Sequence, residues 1–214
     1  MTHYIIHQEN TSRYFVVIDT EKAKKPRGRP RAFDLETALA KAEALFHARG
    51  YDGVSVATLS EELGINPPSF YAAFDSKAGL FARVLERYAA SALPLDTILR
   101  PDRDPAEALG DLVETAARIY AQTPSARGCL VLETVHPGAD EVPTTAAEPY
   151  RAATHALVHD FVATTLPARA ESTADLVDVL LSGLSARARE GWDGKRLVAT
   201  ARASAAAIPA VLAG

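Results

Sequence analysis

The sequence predicts an all-α fold. From about residue 34 onward, apolar residues recur at intervals of three and four, the spacing that places them on one face of a helix. Ser, Asp or Asn residues precede several of these runs and Gly or Pro residues follow them, as expected at helix ends. Residues 14–18 form a short β-prone run, but no partner strand is evident for it.

Length and charge indicate a two-part molecule. The chain has 214 residues, of which 48% are hydrophobic, enough for one large domain or two small ones. Residues 1–90 contain twelve Lys/Arg and eleven Asp/Glu, a charge of +1, whereas residues 91–214 contain eleven and sixteen, a charge of −5. A slightly basic front half and an acidic back half fit a nucleic-acid reader joined to a body with another task.

Cysteine and hydropathy patterns bear on location. The single cysteine, Cys129, excludes an intrachain disulfide and an all-cysteine zinc site, and it favours the reducing cytoplasm. No apolar run approaches the ~20 residues that span a bilayer, so we expect no membrane partner. The N-terminus lacks the basic and then apolar layout of a signal peptide.

The N-terminal segment ends in a basic arm. Residues 21–31 carry six basic residues against one acidic residue, with prolines that keep the segment extended. A solvated tail is one interpretation. The other is an arm that follows phosphates or enters a minor groove, and it assigns DNA contacts to Lys25, Arg27, Arg29 and Arg31.

Two short helices joined by a tight turn follow a first helix that Asp34 caps and Gly50 ends. Ser55 caps the second helix, and Gly64 can adopt the positive φ that ends it. Asn66 caps the third helix, which has Pro67 at its first position, where proline is tolerated. This is the helix-turn-helix pattern, whose second helix enters the major groove of DNA.

The third helix has two different sides. Ser69, Tyr71 and small alanines lie on one side, whereas Phe70 and Phe74, four residues apart, lie on the other. We therefore predict that the two phenylalanines pack in the core and that the opposite side is free to contact DNA.

Helical spacing continues to the end of the chain. A fourth helix begins at Lys77 and ends at Pro94, and a fifth begins at Pro105. The remaining predicted features are a short apolar piece at 129–135, a loop over 137–147, a helix ending before Pro167, a capping box at 172–175 that opens a helix, a turn at 191–194 and a last helix.

Residues 28–88 also carry a family pattern, in which cap, turn, aromatic pair and lysine stand at a fixed spacing. Its most telling residues are Gly50-Tyr51, Ser55-Val56, Leu63-Gly64-Ile65, Phe70-Tyr71, Phe74 and Ser76-Lys77-Ala78-Gly79-Leu80. In these residues the chain resembles the tetracycline-repressor (TetR) family of bacterial transcription regulators.

The resemblance implies an organisation and a function. It predicts a homodimer that binds a palindromic double-stranded DNA operator and leaves it when a small-molecule or reactive effector binds. The expected segments are an N-terminal extension and arm (1–31), a helix-turn-helix domain (32–78) and a helical ligand-binding and dimerisation domain (79–214). No enzyme activity, cofactor or metal site is assigned.

The resemblance also implies individual DNA contacts. Ser55, Tyr71 and Lys77 are expected at phosphates. The side chains expected to face the bases are Pro67, Pro68, Ser69 and Ala72. Because prolines and alanines offer few hydrogen bonds, we expect recognition through thymine methyl groups and DNA shape.

The sequence says less about the effector. The residues predicted to line its pocket are Tyr88, Tyr120, Cys129, Glu133, His155, Phe161 and Leu184. Arg127 and a helix start near Cys129 would lower the pKa of the thiol and allow sensing of reactive compounds, although unpaired cysteines are more often small buried hydrophobes. His155 and His159 share a helix face with metal-binding spacing, but no carboxylate or thiol stands at a diagnostic distance along the chain.

Two other classes of function are alternatives to a ligand-responsive regulator. A non-specific DNA-packaging protein would use the basic arm alone, and the acidic body argues against it. An enzyme on a helical scaffold would need a site, but the sequence shows no Gly-rich phosphate loop, nucleophile elbow or zinc-protease helix motif.

Overall fold

The computed structural model describes residues 34–135 and 141–214, and Leu35–Gly214 cluster as one compact unit. The predictions for residues 1–20 and for the basic arm with Lys25, Arg27, Arg29 and Arg31 lie outside the described residues, as does His136.

All regular structure among the described residues is helical, which confirms the all-α prediction. The helices are α1 (Leu35–Arg49), α2 (Val56–Leu63), α3 (Pro67–Phe74), α4 (Lys77–Ala92), α5 (Leu95–Ile98), α6 (Pro105–Gln122), α7 (Leu130–Thr134), α8 (Glu141–Ala163), α9 (Ala170–Arg189), α10 (Gly194–Ala205) and α11 (Ile208–Ala213), with a 3₁₀ turn at Pro167–Arg169.

The predicted caps form at the helix-turn-helix. The Ser55 hydroxyl accepts a hydrogen bond from the Thr58 N–H at 3.1 Å, and the Asn66 side chain accepts one from the Ser69 N–H at 2.9 Å. Gly64 adopts φ 67° and ψ 30°, the left-handed conformation that ends α2. Local sequence therefore sets the boundaries of these short helices.

An aromatic cluster joins α1 to α4. The Phe46 ring lies 4.9 Å from that of Phe81 and 5.9 Å from that of Tyr51, measured between centroids. Phe46 and Phe81 are almost fully buried. Burial of such side chains supplies much of the packing energy of a small helical unit, so α1 and α4 form a firm support for α2 and α3.

The rest of the chain packs around α6. Helices α9 and α10 contact it, and Leu109, Leu112 and Val113 on its inner faces are fully buried. Helix α8 packs against α4, α7 and α9. The long helices thus share one core, which brings α4, α6, α7, α8 and α9 together at the cavity described below.

The predicted loop at 137–147 is wrong from residue 141 onward, because helix α8 begins at Glu141. Pro143 lies in the first turn, where a missing N–H leaves no helix bond unmade. Ala147 is fully buried, so tertiary packing keeps this segment helical although Pro149 interrupts its hydrogen bonds.

The predicted capping box at 172–175 is also wrong. Helix α9 begins earlier, at Ala170, directly after the 3₁₀ turn. The Ser172 hydroxyl donates to the Arg169 carbonyl at 3.2 Å, and Thr173 is fully buried. A proline-started turn therefore opens this helix, and the Ser-Thr pair lies inside it.

The C-terminal helices form a nearly continuous apolar stretch. Gly194–Ala213 spans 20 residues and meets the length and composition of a membrane-crossing helix, contrary to the sequence-based expectation, and only 17% of its most apolar window is buried. Much of this apolar surface is therefore left uncovered within one chain.

Candidate nucleic-acid interface and internal cavity

Helix α3 separates a buried side from an exposed side, as predicted. Phe70 and Phe74 are buried, with ring centroids 5.4 Å apart. The residues of the helix that are exposed are those predicted to contact DNA, namely Pro67, Pro68, Ser69, Tyr71 and Ala72. The core thus fixes the orientation of the exposed face, which is open to a partner.

Tyr71 stands out on this face. Its side chain is 52% exposed, and its ring packs edge-on against Phe70 with centroids 5.7 Å apart. A large exposed aromatic residue is held in position by a buried neighbour, while its hydroxyl is left at the surface. This is a suitable arrangement for a phenol that donates a hydrogen bond to a phosphate.

Ser55 lies at the exposed N-terminus of α2. Its hydroxyl accepts from the Thr58 N–H and lies 2.9 Å from the Thr58 hydroxyl. The first turn of α2 therefore presents two hydroxyl groups and free N–H groups at the positive end of the helix, the arrangement that favours anions.

Lys77 is more enclosed than the sequence indicates. Its ammonium group donates to the carbonyls of Tyr51 and Val54 at 3.1 and 3.2 Å and lies 3.9 Å from the centre of the Tyr51 ring. Two of its three N–H bonds serve the loop between α1 and α2. Lys77 therefore has a structural role, and one N–H remains for a phosphate.

The junction between α3 and α4 is tightly turned. Asp75 has φ 66° and ψ −47°, and the Ser76 N–H donates to the Phe74 carbonyl at 2.7 Å. This is a γ-turn, a strained conformation for a non-glycine residue. Gly79 follows because a Cβ there would collide with the Phe74 carbonyl oxygen. Only two residues therefore separate the end of α3 from the start of α4.

Side chains of α4 also form polar contacts with α1 and α3. Arg87 pairs with Glu36 and Glu43 of α1, each at 2.5 Å, and Arg83 donates to the Ala73 carbonyl of α3 at 3.4 Å. Opposite charge raises the pKa of Arg87 above its usual value, with the Glu36 hydrogen bond as the main cause. The contacts hold α1, α3 and α4 as one body.

A small cavity of about 60 Å³ lies between α4, α6, α7, α8 and α9. Its walls are mostly apolar, with polar groups at a few points, as is typical of small-molecule sites. The lining residues are Tyr88, Ala89, Ala92, Leu93, Leu95, Tyr120, Cys129, Val131, Leu132, Tyr150, Arg151, Thr154, Asp178 and Leu181.

Three of the seven residues predicted for the effector pocket line this cavity, namely Tyr88, Tyr120 and Cys129. The other four lie elsewhere. Glu133 accepts a hydrogen bond from Ser185 at 2.6 Å, His155 pairs with Asp175, Phe161 lines an open groove near Leu157, and Leu184 is buried outside the cavity lining.

Cys129 lies between the two phenols. Burial raises the pKa of its thiol, and backbone N–H groups and the Tyr88 and Tyr120 hydroxyls offset only part of this effect. The expectation of a lowered pKa is therefore wrong. Arg127 does not act on the thiol, because its guanidinium donates to the Trp192 carbonyl at 2.9 Å. Burial and the neighbouring thiol also raise the pKa of Tyr88 and Tyr120.

Part of the cavity wall is charged, which sequence reasoning missed. Arg151 pairs with Asp178 at 3.0 Å and with Glu148 at 2.6 Å. The hydrogen bond to Glu148 is the main reason that the pKa of Arg151 is raised. Arg151 and Asp178 are 27 residues apart, so only the packing of α8 on α9 brings them together. No local motif could have identified them.

A path of hydrogen bonds and one ion pair leads from the cavity to α1. The Cys129 N–H donates to the Ser185 hydroxyl at 2.8 Å, and Ser185 donates to Glu133. Glu133 lies 3.6 Å from Arg189, which donates to the His47 carbonyl of α1 at 2.6 Å. Three side chains and two backbone groups thus connect the cavity wall to the last turn of α1.

His47 is buried at this contact. Its ring packs edge-on against Tyr88 with centroids 5.8 Å apart, and its Nε2 atom has no hydrogen-bond partner among the described residues. Burial lowers the pKa of His47, and the positive charge of Arg189 lowers it further. The imidazole is therefore held in its neutral form, beside a residue that lines the cavity.

Comparison with known proteins supports this description. Residues 38–84 match the model of "Bacterial regulatory proteins, tetR family". The HTH-type transcriptional repressor BdcR of Escherichia coli (strain K12) is 45% identical over 194 residues, covering 90% of this chain and 98% of the relative. The HTH-type transcriptional repressor ComR of the same organism is 30% identical over 190 residues, covering 84% and 90%.

Solved structures agree with these matches. The TetR family regulator CifR, a cysteine mutant complexed with 26-bp double-strand operator DNA, superposes with a TM-score of 0.74 at 31% identity, covering 84% of this chain and 99% of CifR. The reduced form of E. coli NemR shares the fold with a TM-score of 0.65 at 20% identity, covering 79% and 93%. BdcR, ComR and CifR are each named as a transcriptional repressor or regulator.

Proposed function

Because this chain belongs to the TetR family of bacterial regulatory proteins, we propose that it is a cytoplasmic homodimeric repressor, released from a palindromic operator by a small-molecule effector. The observation that carries the proposal is the exposed face of α3, which the buried Phe70 and Phe74 hold outward. In a helix-turn-helix, this face enters the major groove.

The base-contacting residues are those at the start and middle of α3. Pro67, Pro68, Ser69 and Ala72 are exposed, and only Ser69 carries a hydrogen-bonding side chain. Apolar contact with thymine methyl groups and recognition of DNA shape therefore dominate sequence preference.

The phosphate contacts surround this face. The Tyr71 hydroxyl, the first turn of α2 behind Ser55 and the remaining N–H of Lys77 are the described groups that serve this role. The basic residues of the arm, from Lys25 to Arg31, add further contacts in a minor groove. Such contacts raise affinity for all sequences alike.

The uncovered apolar stretch at the C-terminus supports a dimer. On α9, Val179 is 67% exposed and Gly183 has open space around its Cα. A stripe of exposed alanines runs along the last two helices, through Ala199, Ala203, Ala206, Ala210 and Ala213. Small residues at intervals of three and four let helices of two chains pack closely, and burying this face removes apolar surface from water.

The effector site is the cavity beside α4. Its apolar walls, two phenols and the Arg151–Asp178 pair suit a small uncharged molecule that offers one or two hydrogen-bonding groups. The raised pKa of Cys129 keeps the thiol protonated, which supports reversible binding over attack on a reactive compound. A molecule larger than the cavity would displace Tyr88, a residue of α4.

Release follows from the connection of α4 to α3. Tyr88, a residue of α4, lines the cavity. Two residues separate α3 from α4, and Arg83 of α4 donates a hydrogen bond to the Ala73 carbonyl of α3. A shift of α4 therefore changes the orientation of α3. In a dimer this alters the distance between two reading helices, which must match the spacing of half-sites.

The proposal is tested by binding site selection with the full-length chain, followed by fluorescence anisotropy. We expect one palindromic sequence to bind at least ~10³-fold more tightly than a scrambled duplex, with two chains per duplex. Equal affinity for all duplexes would instead support a packaging protein, and absence of DNA binding would contradict both. Cys129→Ser distinguishes effectors, because it abolishes release only by compounds that react with the thiol.

A further inference from the structure

Four side chains that can bind a metal converge between α8 and α9. His155 and His159 lie four residues apart on α8, and Glu171 and Asp175 lie four residues apart on α9. On each helix this spacing places both side chains on the same face. The sequence did not indicate a site because the carboxylates come from the next helix and are separated from the histidines by a turn.

The ligand atoms lie close together. One ligand atom each from His155, Glu171 and Asp175 lies within 4.8 Å of the other two. His155 Nε2 is 3.1 Å from Asp175 Oδ1, and His159 Nε2 is 3.9 Å from Glu171 Oε2. Tetrahedral zinc with bonds of about 2.0–2.2 Å separates its ligand atoms by roughly 3.3–3.6 Å, a spacing that lies between these two distances.

Asp160 supplies an independent observation. Its carboxylate lies 3.0 Å from His159 Nδ1, which leaves Nε2 of the same ring directed at Glu171. Histidines that bind metals commonly donate their other ring N–H to a carboxylate, which fixes the ring and its tautomer. His159 thus already has the outer contact that a metal ligand requires.

The charges around the cluster also favour a cation. No arginine or lysine forms an ion pair with Asp160, Glu171 or Asp175 among the residues that the structure describes. The arginine one turn away, Arg151, is held by Glu148 and Asp178. Three carboxylates therefore lie beside the two imidazoles, and a divalent ion would relieve the repulsion between the carboxylates.

We propose that His155, Glu171 and Asp175, with His159 as the fourth ligand, bind one divalent transition-metal ion of the zinc type. Imidazole and carboxylate ligands without a thiolate suit Zn²⁺ and its neighbours in the first row. The ion connects α8 to α9 and thereby stabilises the folded body. The site lies outside the cavity lining and does not depend on DNA binding.

The test uses tag-free, chelator-treated full-length protein titrated with Zn²⁺ alone against a chromophoric chelator, with thermal unfolding in parallel. We expect one Zn²⁺ per chain and a rise in the unfolding temperature. His155→Ala and Asp175→Ala should each weaken binding at least ~10-fold, and Asp160→Asn should weaken it less, as contacts to a ligand do. Glu148→Gln is the matched control on the same helix pair and should bind as the unchanged chain does.

Several outcomes would overturn the site. No Zn²⁺ binding in the micromolar range would do so, as would unchanged binding by His155→Ala, which would place the ion at His3, His7 or His136. One Zn²⁺ per two chains would indicate a site between chains. Operator binding by each variant serves as a check of folding, so loss of zinc affinity with full DNA affinity supports the proposal, and loss of both by every variant contradicts it.

Discussion

The DNA-facing helices and the body place their functional groups in opposite ways. On α3 the candidate contacts point into solvent, with Tyr71 52% exposed, while aromatic residues behind them form the core. In the body the candidate contacts point inward, with Tyr120 and Cys129 almost fully buried around a cavity. Under the proposed function, the same all-helical architecture would bind a large external partner through α3 and a small internal one in the cavity.

On α3, the residues that face outward differ from those that stabilise the fold, whereas around the cavity the same residues do both. Residues on the outer face of α3 contribute little to the core, so they can change with little effect on folding. Residues around the cavity belong to the core itself, so any change there alters packing as well as binding. Variants on the outer face of α3 should therefore change binding alone, whereas variants around the cavity should change folding stability as well.

The largest expected effect is on the buried side of α3. Phe70→Ala should lower the free energy of unfolding by about 3–5 kcal/mol, because it leaves a cavity in the small core of α1–α3. Chemical denaturation monitored by circular dichroism measures this. A loss below about 1 kcal/mol would mean that the aromatic core does not hold α3 in place.

Substitution of Lys77 should lower folding stability as well as weaken DNA binding. Lys77→Met leaves the carbonyls of Tyr51 and Val54 without their donor, so we expect a loss of about 1–3 kcal/mol in the free energy of unfolding. Operator binding, measured under conditions where the variant is folded, should lose up to one phosphate contact, a change of about 0.9 in the salt slope. An unchanged denaturation midpoint would show that Lys77 is only a surface charge.

Tyr71→Ala tests the exposed side. The free energy of unfolding should change by no more than about 0.5 kcal/mol, as for most surface substitutions, while operator affinity falls about tenfold or more through loss of a phosphate contact. Tyr71→Phe separates the hydroxyl from the ring. Full affinity in both variants would remove Tyr71 from the interface.

The smallest expected effect concerns His47, at the boundary between α1 and the body. Because its pKa is lowered from 6.5 in the folded chain, the unfolded chain binds more protons as the pH falls below 6.5. Stability therefore decreases from that pH downward until the folded-state pKa is passed. His47→Gln should reduce this dependence, which denaturation at several pH values measures. Identical pH profiles would contradict the neutral buried imidazole.

The same contrast explains what the sequence could predict. Caps, turn and aromatic pair of the helix-turn-helix lie within about twenty residues, and local rules placed Ser55, Gly64 and Asn66 correctly. Which side of α3 is exposed followed from spacing alone. The charge pattern did not show that Lys77 is enclosed, because its partners Tyr51 and Val54 lie more than twenty residues away.

The body was less predictable for a physical reason. Its cavity is formed where five helices meet, so Arg151 and Asp178 carry no local signal. Glu133 and Leu184, which were predicted for the effector pocket, do not line this cavity. Cys129 shows that the pKa of a side chain does not follow from its sequence neighbours alone. Sequence neighbours indicated a lowered pKa, whereas burial, which only the tertiary structure determines, raises it.

The central claim is that the exposed face of α3 reads bases, and exchange of a side chain on that face tests it most directly. DNA sequences are selected in parallel with the unchanged chain and with Ala72→Asn, which adds a hydrogen-bonding amide able to recognise adenine. The account predicts that the two selected sequences differ at symmetric positions within each half-site, while folding stability is unchanged. Identical selected sequences would contradict it.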